Sequence, residues 1–130
     1  MDYGTKIDWK GSEFTNGQTV WQLVNHLVEA HKAKASCIEM NWDGKSQEYA
    51  GIAKRLGEEV IYRLETFGNQ EATDKVWRCI CALVRAYDNK ARARHEYMFD
   101  RTSEYEAIAK DYADEIIERL MELDAAHQAI

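Results

Sequence analysis

The stretch from Asn69 to Phe99 is the feature of the sequence that most constrains its fold. Its apolar residues recur every three or four positions, so they share one face of a single long helix. Phe67-Gly68-Asn69, just before it, is a helix stop followed by a helix start. A helix of ~30 residues is ~45 Å long and needs apolar partners of similar length. The residues of this face are Val76, Ile80, Leu83, Val84, Tyr87, Ala91 and Met98.

Three further stretches have the same spacing and predict three more helices, near residues 19–40, 46–67 and 103–127. Thr19 and Ser103 each stand three positions before a glutamine or glutamate, which is the pattern of a capping box at a helix start. With the helix near 70–99, the chain has four amphipathic segments of similar length.

Residues 1–18 are the least regular part of the sequence, because three glycines interrupt them. Two interpretations stay open. Lys10-Gly11 could turn a short hairpin with Ile7, Trp9 and Phe14 as its apolar residues, or Trp9 and Phe14 could pin an irregular arm to the helices. The chain of 130 residues lacks proline and shows almost no strand-type alternation. We therefore predict an all-α, four-helix bundle-like single domain, 1–130, with a short irregular N-terminal arm.

Cysteine usage and hydropathy indicate a cytoplasmic protein. The chain has three cysteines, and Cys79 and Cys81 point to nearly opposite sides of their helix, which suits neither a disulfide frame nor a zinc site. No apolar run approaches the ~20 residues of a membrane span. We expect reduced thiols, no metal, no cofactor and no membrane contact.

The net charge of −6 is concentrated near the end of the chain. Residues 102–130 carry eight of the 23 acidic and two of the 17 basic side chains, so residues 1–101 are neutral. This balance argues against direct nucleic-acid binding, which needs a basic face. It predicts either pairing with a basic element of the chain or a surface for a basic partner.

The excess acid forms a stripe along one flank of the last predicted helix. The stripe spans ~27 Å, and like charges at this spacing repel unless something opposes them. Three interpretations follow: a solvated flank, pairing with an arginine stripe on the third helix, or a row of carboxylates presented to a basic partner. The acidic stripe is Glu104, Asp111, Glu115, Glu118 and Glu122, and the arginine stripe is Arg78, Arg85 and Arg92.

Aromatic residues outside the predicted faces add candidates for partner binding. The chain has four tryptophans and seven tyrosines. Trp21 lies at the flank of its helix and Trp42 lies in a turn, and such residues are favoured at the centres of interfaces. Ile117 and Met121 widen the apolar face of the last helix, which suggests a homo-oligomer.

An enzymatic alternative rests on paired carboxylates. All-α nucleotide pyrophosphohydrolases bind magnesium with ExxE and ExxD elements on two facing helices. Glu71-x-x-Asp74 and Glu115-x-x-Glu118 resemble these elements in the reverse chain order. The resemblance implies a metal-dependent nucleotide hydrolase, and it requires carboxylates from two helices to converge.

No catalytic residue set is recognisable in the sequence, so we favour a stoichiometric function. The sequence predicts a small cytosolic adaptor or inhibitor that binds a protein partner through a helix surface. Small, acidic, proline-free helical proteins of this kind include phage and mobile-element inhibitors of host nucleic-acid or defence machinery. The predicted binding residues are the acidic stripe, Trp21 and Trp42.

Overall fold

Four long helices make up most of the chain in the computed structural model, which describes the backbone of residues 8–128 and the side chains of 8–127. No strand occurs in this part of the chain, so the predicted all-α class is confirmed. None of the helices found there is long and apolar enough to cross a membrane. The helices are α1 (Asn16–Glu39), α2 (Asp43–Glu65), α3 (Gln70–His95) and α4 (Phe99–Gln128).

The helices pack as two antiparallel hairpins, α1–α2 and α3–α4, that form one bundle. Both α1 and α3 contact all three other helices, whereas α2 and α4 make no close backbone approach to each other within residues 8–128. The contact between α2 and α3 is small. The bundle is therefore flattened, with the parallel helices α1 and α3 at its centre. The largest fully buried side chains within residues 8–127 are Val20, Val24, Val60, Leu64, Val76, Ile80, Ile116, Ile117 and Leu120.

The start of α1 differs from the prediction. α1 begins at Asn16, and Thr15 is its N-cap. The Gln18 N–H donates to Thr15 Oγ1 at 3.2 Å, while the Phe14 N–H donates to Gln18 Oε1. The capping box on Thr19 was wrong because Thr15 offers the same spacing to a glutamine four residues earlier. By contrast, α3 begins where the sequence predicts, after the N-cap Asn69.

Two turns of the same type end α1 and α3. Asn41 and Tyr97 follow these helices with φ angles of 59° and 61°, in the left-handed region. The hydrogen bonds are those of a Schellman motif, which satisfies the last carbonyl groups of a helix. The N–H of Trp42 donates to the carbonyl of Cys37, and that of Met98 to the carbonyl of Ala93, each at 2.8 Å.

These turns correct three predicted boundaries. α3 ends at His95 rather than at residue 99, while α2 and α4 begin at Asp43 and Phe99 rather than at residues 46 and 103. Ser103 therefore lies inside α4 instead of at its N-cap. The helical spacing of the apolar residues continues across the second turn, which is why sequence reasoning extended the third helix through it.

A buried carboxylate ties the start of α1 to α4. Asp124 is 8% exposed, and its Oδ1 accepts from the Gly17 N–H at 2.9 Å. A negative charge at this position also offsets the positive end of the α1 dipole. Asn16 Nδ2 donates to the carbonyl of Arg63 at 3.0 Å, which joins α1 to the end of α2. Hydrogen bonds thus fix this end of the bundle.

The described part of the N-terminal arm, residues 8–15, is irregular and lies against α4. Trp9 packs against the core, and a Cβ built on Gly11 would lie 2.9 Å from Met121 Cγ. Phe14 is 95% exposed, so the prediction that it pins the arm was wrong. Ile7, the first apolar residue of the hairpin interpretation, lies outside the described residues.

The central position of α3 predicts the effect of shortening its buried side chains. Ile80 is fully buried, so Ile80→Ala should lower the free energy of unfolding by ~2–5 kcal/mol. Arg85 is exposed, and Arg85→Ala should stay within ~0.5 kcal/mol of the native protein. Urea denaturation of both variants tests this. Equal losses would show that the buried face of α3 is wrongly assigned.

The Asp124–Gly17 contact predicts opposite effects of the same substitution at two glycines. A Cβ on Gly17 would overlap with the Asp124 carboxylate, so Gly17→Ala should cost ~1–3 kcal/mol by disturbing a buried acceptor. A Cβ on Gly51, inside α2, would have no neighbour within 4 Å. Gly51→Ala should therefore raise the free energy of unfolding by ~0.5–1 kcal/mol, because alanine has the higher helix propensity. Thermal and urea unfolding should separate the two variants. Similar stability of the two would refute the proposed role of Asp124.

Candidate functional site

The end of the bundle that carries the two Schellman turns exposes a group of large apolar side chains. Because α1 and α3 run parallel, the α1–α2 and α3–α4 turns lie at the same end. The group has six members, and each side chain is 46–80% exposed. Contiguous exposed apolar patches are typical of interaction surfaces in general, whereas single exposed apolar residues are common. The residues of this apolar end are Ile38, Met40, Trp42, Tyr97, Met98 and Phe99.

A polar contact and a cavity connect the two turns. His95 Nδ1 lies 3.2 Å from Glu39 Oε1, so the last turn of α3 contacts the last turn of α1. A cavity of about 520 Å³ opens between these helix ends, beside the apolar end. Ile38 and the charged side chains of Lys34 and Arg92 are among its lining.

The turn geometry determines how the aromatic side chains are presented. Asparagine tolerates the left-handed conformation of Asn41, but an aromatic residue there, as at Tyr97, costs ~1–2 kcal/mol. The Tyr97 and Phe99 rings lie edge to face with centroids 6.3 Å apart. Sequence reasoning missed this pair because it placed Met98 on the buried face of the third helix. Three consecutive large apolar residues, from Tyr97 to Phe99, were the signal available.

The two tryptophans predicted to bind a partner have different environments. Trp42 is 57% exposed and belongs to the apolar end. Trp21 is 2% exposed within the core, so it does not present a binding surface. It is buried because α1 contacts three helices and therefore buries a wider arc than one apolar stripe. Ile38, near the end of the same helix, is 55% exposed.

The acidic stripe follows the outside of α4. Glu104, Asp111, Glu118 and Glu122 are exposed, and Glu115 is half-buried. Glu115 Oε1 forms an ion pair with Arg119 Nη2, at 2.9 Å on the same helix. Burial, and secondarily the Glu115 charge, raises the pKa of the Cys79 thiol on α3. This part of the stripe therefore lies beside the α3–α4 contact.

The arginine stripe lies on the other flank of α3. Burial raises the pKa of the Cys81 thiol while the neighbouring Arg85 lowers it, and Cys81 lines a cavity between α2 and α3. Arg92 lines the cavity between α1 and α3. None of the ion pairs within residues 8–127 includes Arg78, Arg85 or Arg92. The structure does not bring the two stripes together within one chain.

The carboxylates of the enzymatic alternative do not converge in the described part of the chain. Glu71 pairs with Lys75 at 3.4 Å, and Asp74 accepts from Gln70 at 2.8 Å. Glu115 is engaged with Arg119. Within the side chains described, no three histidine, cysteine, aspartate or glutamate residues lie close enough to hold a metal ion.

The two apolar residues that suggested a homo-oligomer differ in their exposure. Ile117 is 1% exposed in the core. Met121 lies beside the N-terminal arm near Gly11 and Trp9, and it remains 38% exposed. The arm thus covers only part of the broad apolar face of α4.

His31 lies at the junction of two cavities. It lines both the cavity between the ends of α1 and α3 and the cavity between α2 and α3. Burial lowers its pKa below the ordinary value, Asp88 opposes this effect, and Lys34 adds to it. Burial therefore favours the neutral form of the imidazole.

These features define a small all-α bundle with one exposed apolar end and a cavity beside it. No protein-family model, curated protein or solved structure matches the chain. Its surfaces are therefore the basis of the functional proposal.

The lowered pKa of His31 predicts a pH dependence of stability. The unfolded state binds a proton at an ordinary histidine pKa near ~6.5, whereas the folded state does so only at lower pH. The His31 contribution to stability is therefore complete above the unfolded pKa and is lost as pH falls through the folded pKa.

Urea denaturation at pH 7.5 and 5.5 measures this contribution. The native protein should lose more stability on acidification than His31→Gln does. His26 lies exposed on the same helix, and His26→Gln should behave like the native protein. If the free energy of unfolding of His31→Gln falls between pH 7.5 and 5.5 as much as that of the native protein, the His31 imidazole is not responsible for the pH dependence.

Proposed function

We propose that this protein acts stoichiometrically, as an adaptor or inhibitor that binds a protein partner through its apolar end. The observation that carries this proposal is the grouping of six exposed, large apolar side chains on two adjacent turns. Within this proposal the protein works in a reducing compartment such as the cytoplasm, where its three free cysteines persist.

The size of the apolar end supports protein binding. An aromatic side chain buries ~150–250 Å² when covered, and Trp42, Tyr97 and Phe99 are each more than half exposed. These three residues alone then offer ~300–500 Å² of new contact, which is in the range of functional apolar patches. Ile38, Met40 and Met98 extend the patch toward the ~800 Å² per partner of a stable complex.

The apolar end is also organised before a partner binds. Both turns are fixed by Schellman hydrogen bonds, and the Glu39–His95 contact holds them together. Tryptophan and tyrosine on rigid backbone lose little conformational freedom on binding, which is why they dominate interface energetics. The turns therefore resemble a preformed binding surface more than a mobile loop.

Charge completes the description of the expected partner. Glu104 is five residues beyond Phe99, so the acidic stripe begins ~7.5 Å from the apolar end along α4. A basic rim on the partner would contact this stripe. Because residues 1–101 are neutral and the rest is acidic, we propose a protein partner and not a nucleic acid.

A matched pair of triple variants tests the proposal. The end variant carries Trp42→Gln, Tyr97→Gln and Phe99→Gln, and the control carries Ile52→Gln, Tyr62→Gln and Ile108→Gln at exposed positions on α2 and α4. In-cell cross-linking with quantitative mass spectrometry should recover a recurrent protein partner with the native chain and the control. The end variant should recover at least ~10-fold less, since a hot-spot residue contributes ~2 kcal/mol or more.

Circular dichroism and urea denaturation provide the folding check for both variants. Both should retain native helix content, because all six positions are exposed. Equal recovery with the end variant and the native chain would refute the apolar end as the binding surface. Absence of a recurrent partner of the native chain would refute the function itself.

A further inference from the structure

A groove separates α2 from α3 and has α1 as its floor. Its central cavity of about 510 Å³ is lined mainly by apolar side chains, including Leu27 of α1, Ile61 of α2, and Trp77 and Val84 of α3. It exists because α2 packs on α1 and makes little contact with α3. Two helices that lie side by side, with an apolar floor between them, form a groove that accommodates another helix.

The groove continues toward the apolar end. The cavity between the ends of α1 and α3 shares His31 and Lys34 with the central cavity. The combined surface follows α3 from Trp77 to its C-cap Glu96, which is ~28 Å at the helical rise. We call this surface the α3 groove. Its length matches ~19 residues of a bound helix.

The rim of the α3 groove carries cations without partners in the described chain. Arg78, Arg85 and Arg92 repeat every seven residues, so they stand ~10 Å apart in one row beside the groove. No ion pair within residues 8–127 includes them. Lys34 and Lys54 line the groove as well, with Glu58 and Asp88 among the carboxylates on its walls.

We infer that the α3 groove binds an amphipathic helix of a protein partner, with carboxylates on the flank of that helix facing the arginine stripe. The apolar face of the helix would fill the groove, and acidic residues seven positions apart would stand opposite Arg78, Arg85 and Arg92. Arginine suits this role because its planar group binds a carboxylate through two hydrogen bonds. The inference does not depend on the apolar end, and it holds even if that end binds nothing.

A second copy of this chain is a poorer occupant. Its acidic stripe has the right sign, but the apolar face of its α4 is committed to its own core through residues such as Ile116 and Leu120. That helix could offer charges to the rim without filling the apolar groove. Exposed ion pairs are individually weak, so charge alone would not hold it there.

Fluorescence anisotropy with two designed peptides tests the inference. The acidic probe is a 21-residue amphipathic helix with leucines on one face and glutamate at every seventh position of one flank. The basic probe has the same leucines and lysine in place of those glutamates. At ~50 mM salt, where screening is weak, the native protein should bind the acidic probe at least tenfold more tightly than the basic one.

Charge reversal of the rim supplies the decisive comparison. A variant carrying Arg78→Glu, Arg85→Glu and Arg92→Glu should reverse the preference and favour the basic probe. The control carries Lys75→Glu, Arg101→Glu and Lys110→Glu, which are exposed positions away from the groove with the same change in charge. It should keep the native preference. Retention of the acidic preference by the arginine variant would overturn the inference.

A groove-filling variant tests the apolar component. Ala50 lines the groove and is half-buried, so Ala50→Trp should weaken binding of the acidic probe at least tenfold while leaving helix content unchanged. Unchanged affinity would place the peptide elsewhere and overturn the inference. Sedimentation equilibrium distinguishes the second-copy occupant. A native dimer that Arg78→Glu, Arg85→Glu and Arg92→Glu dissociates would assign the groove to self-association instead.

Discussion

The packing of α1 against α3 is the contact on which the rest of the structure depends. These helices are parallel, and Lys32 Nζ lies 4.2 Å from the centre of the Tyr87 ring in the second half of both. Because they occupy the centre, α2 and α4 lie on opposite outer sides and make no close backbone approach to each other within residues 8–128. One consequence is that both hairpin turns lie at the same end. Another is that α2 leaves α3 partly uncovered, which creates the α3 groove.

The two ends of the bundle have different physical character. At the end where α1 and α3 begin, hydrogen bonds join the helices: Asp124 Oδ1 accepts from the Gly17 N–H at the start of α1, and Thr73 Oγ1 donates to the carbonyl of Leu64 at 3.1 Å. Asp124 Oδ2 is buried without a hydrogen-bond partner among the described residues, so this carboxylate carries a desolvation cost. The opposite end exposes the six large apolar side chains of the apolar end.

Sequence periodicity predicted the buried faces well because a helix that contacts one or two neighbours buries a single stripe. On α2, which contacts α1 and α3, Val60 and Leu64 follow that rule. The rule failed for Trp21, since the number of neighbours of α1 depends on tertiary packing that no local pattern records. It failed again at Tyr97, where the chain adopts a left-handed conformation that the sequence disfavours. Helix ends are set by such backbone details, and side-chain periodicity does not report them.

The candidate surfaces were less predictable than the fold because they depend on which helices do not touch. Charge counting identified the arginine and acidic stripes, but which flank of α3 faces α4 could not be read from spacing alone. In the structure, Cys79 lies near Glu115 and Cys81 lies near Arg85. The acidic stripe of α4 and the arginine stripe therefore lie at different flanks of α3. The arginines were therefore found by sequence, while the apolar groove beside them required the observed separation of α2 and α3.

The apolar end and the α3 groove are physically continuous, and this continuity offers a route for energetic coupling between them. Ile38 belongs to the apolar end, and it also lines the cavity in which the groove ends. The same cavity contains Glu39 and His95, whose contact holds the two turns together. A helix that fills the groove would meet these side chains and change the packing that positions Trp42 and Tyr97. By linkage, any gain or loss of affinity that groove binding produces at the apolar end must appear equally in the reverse direction.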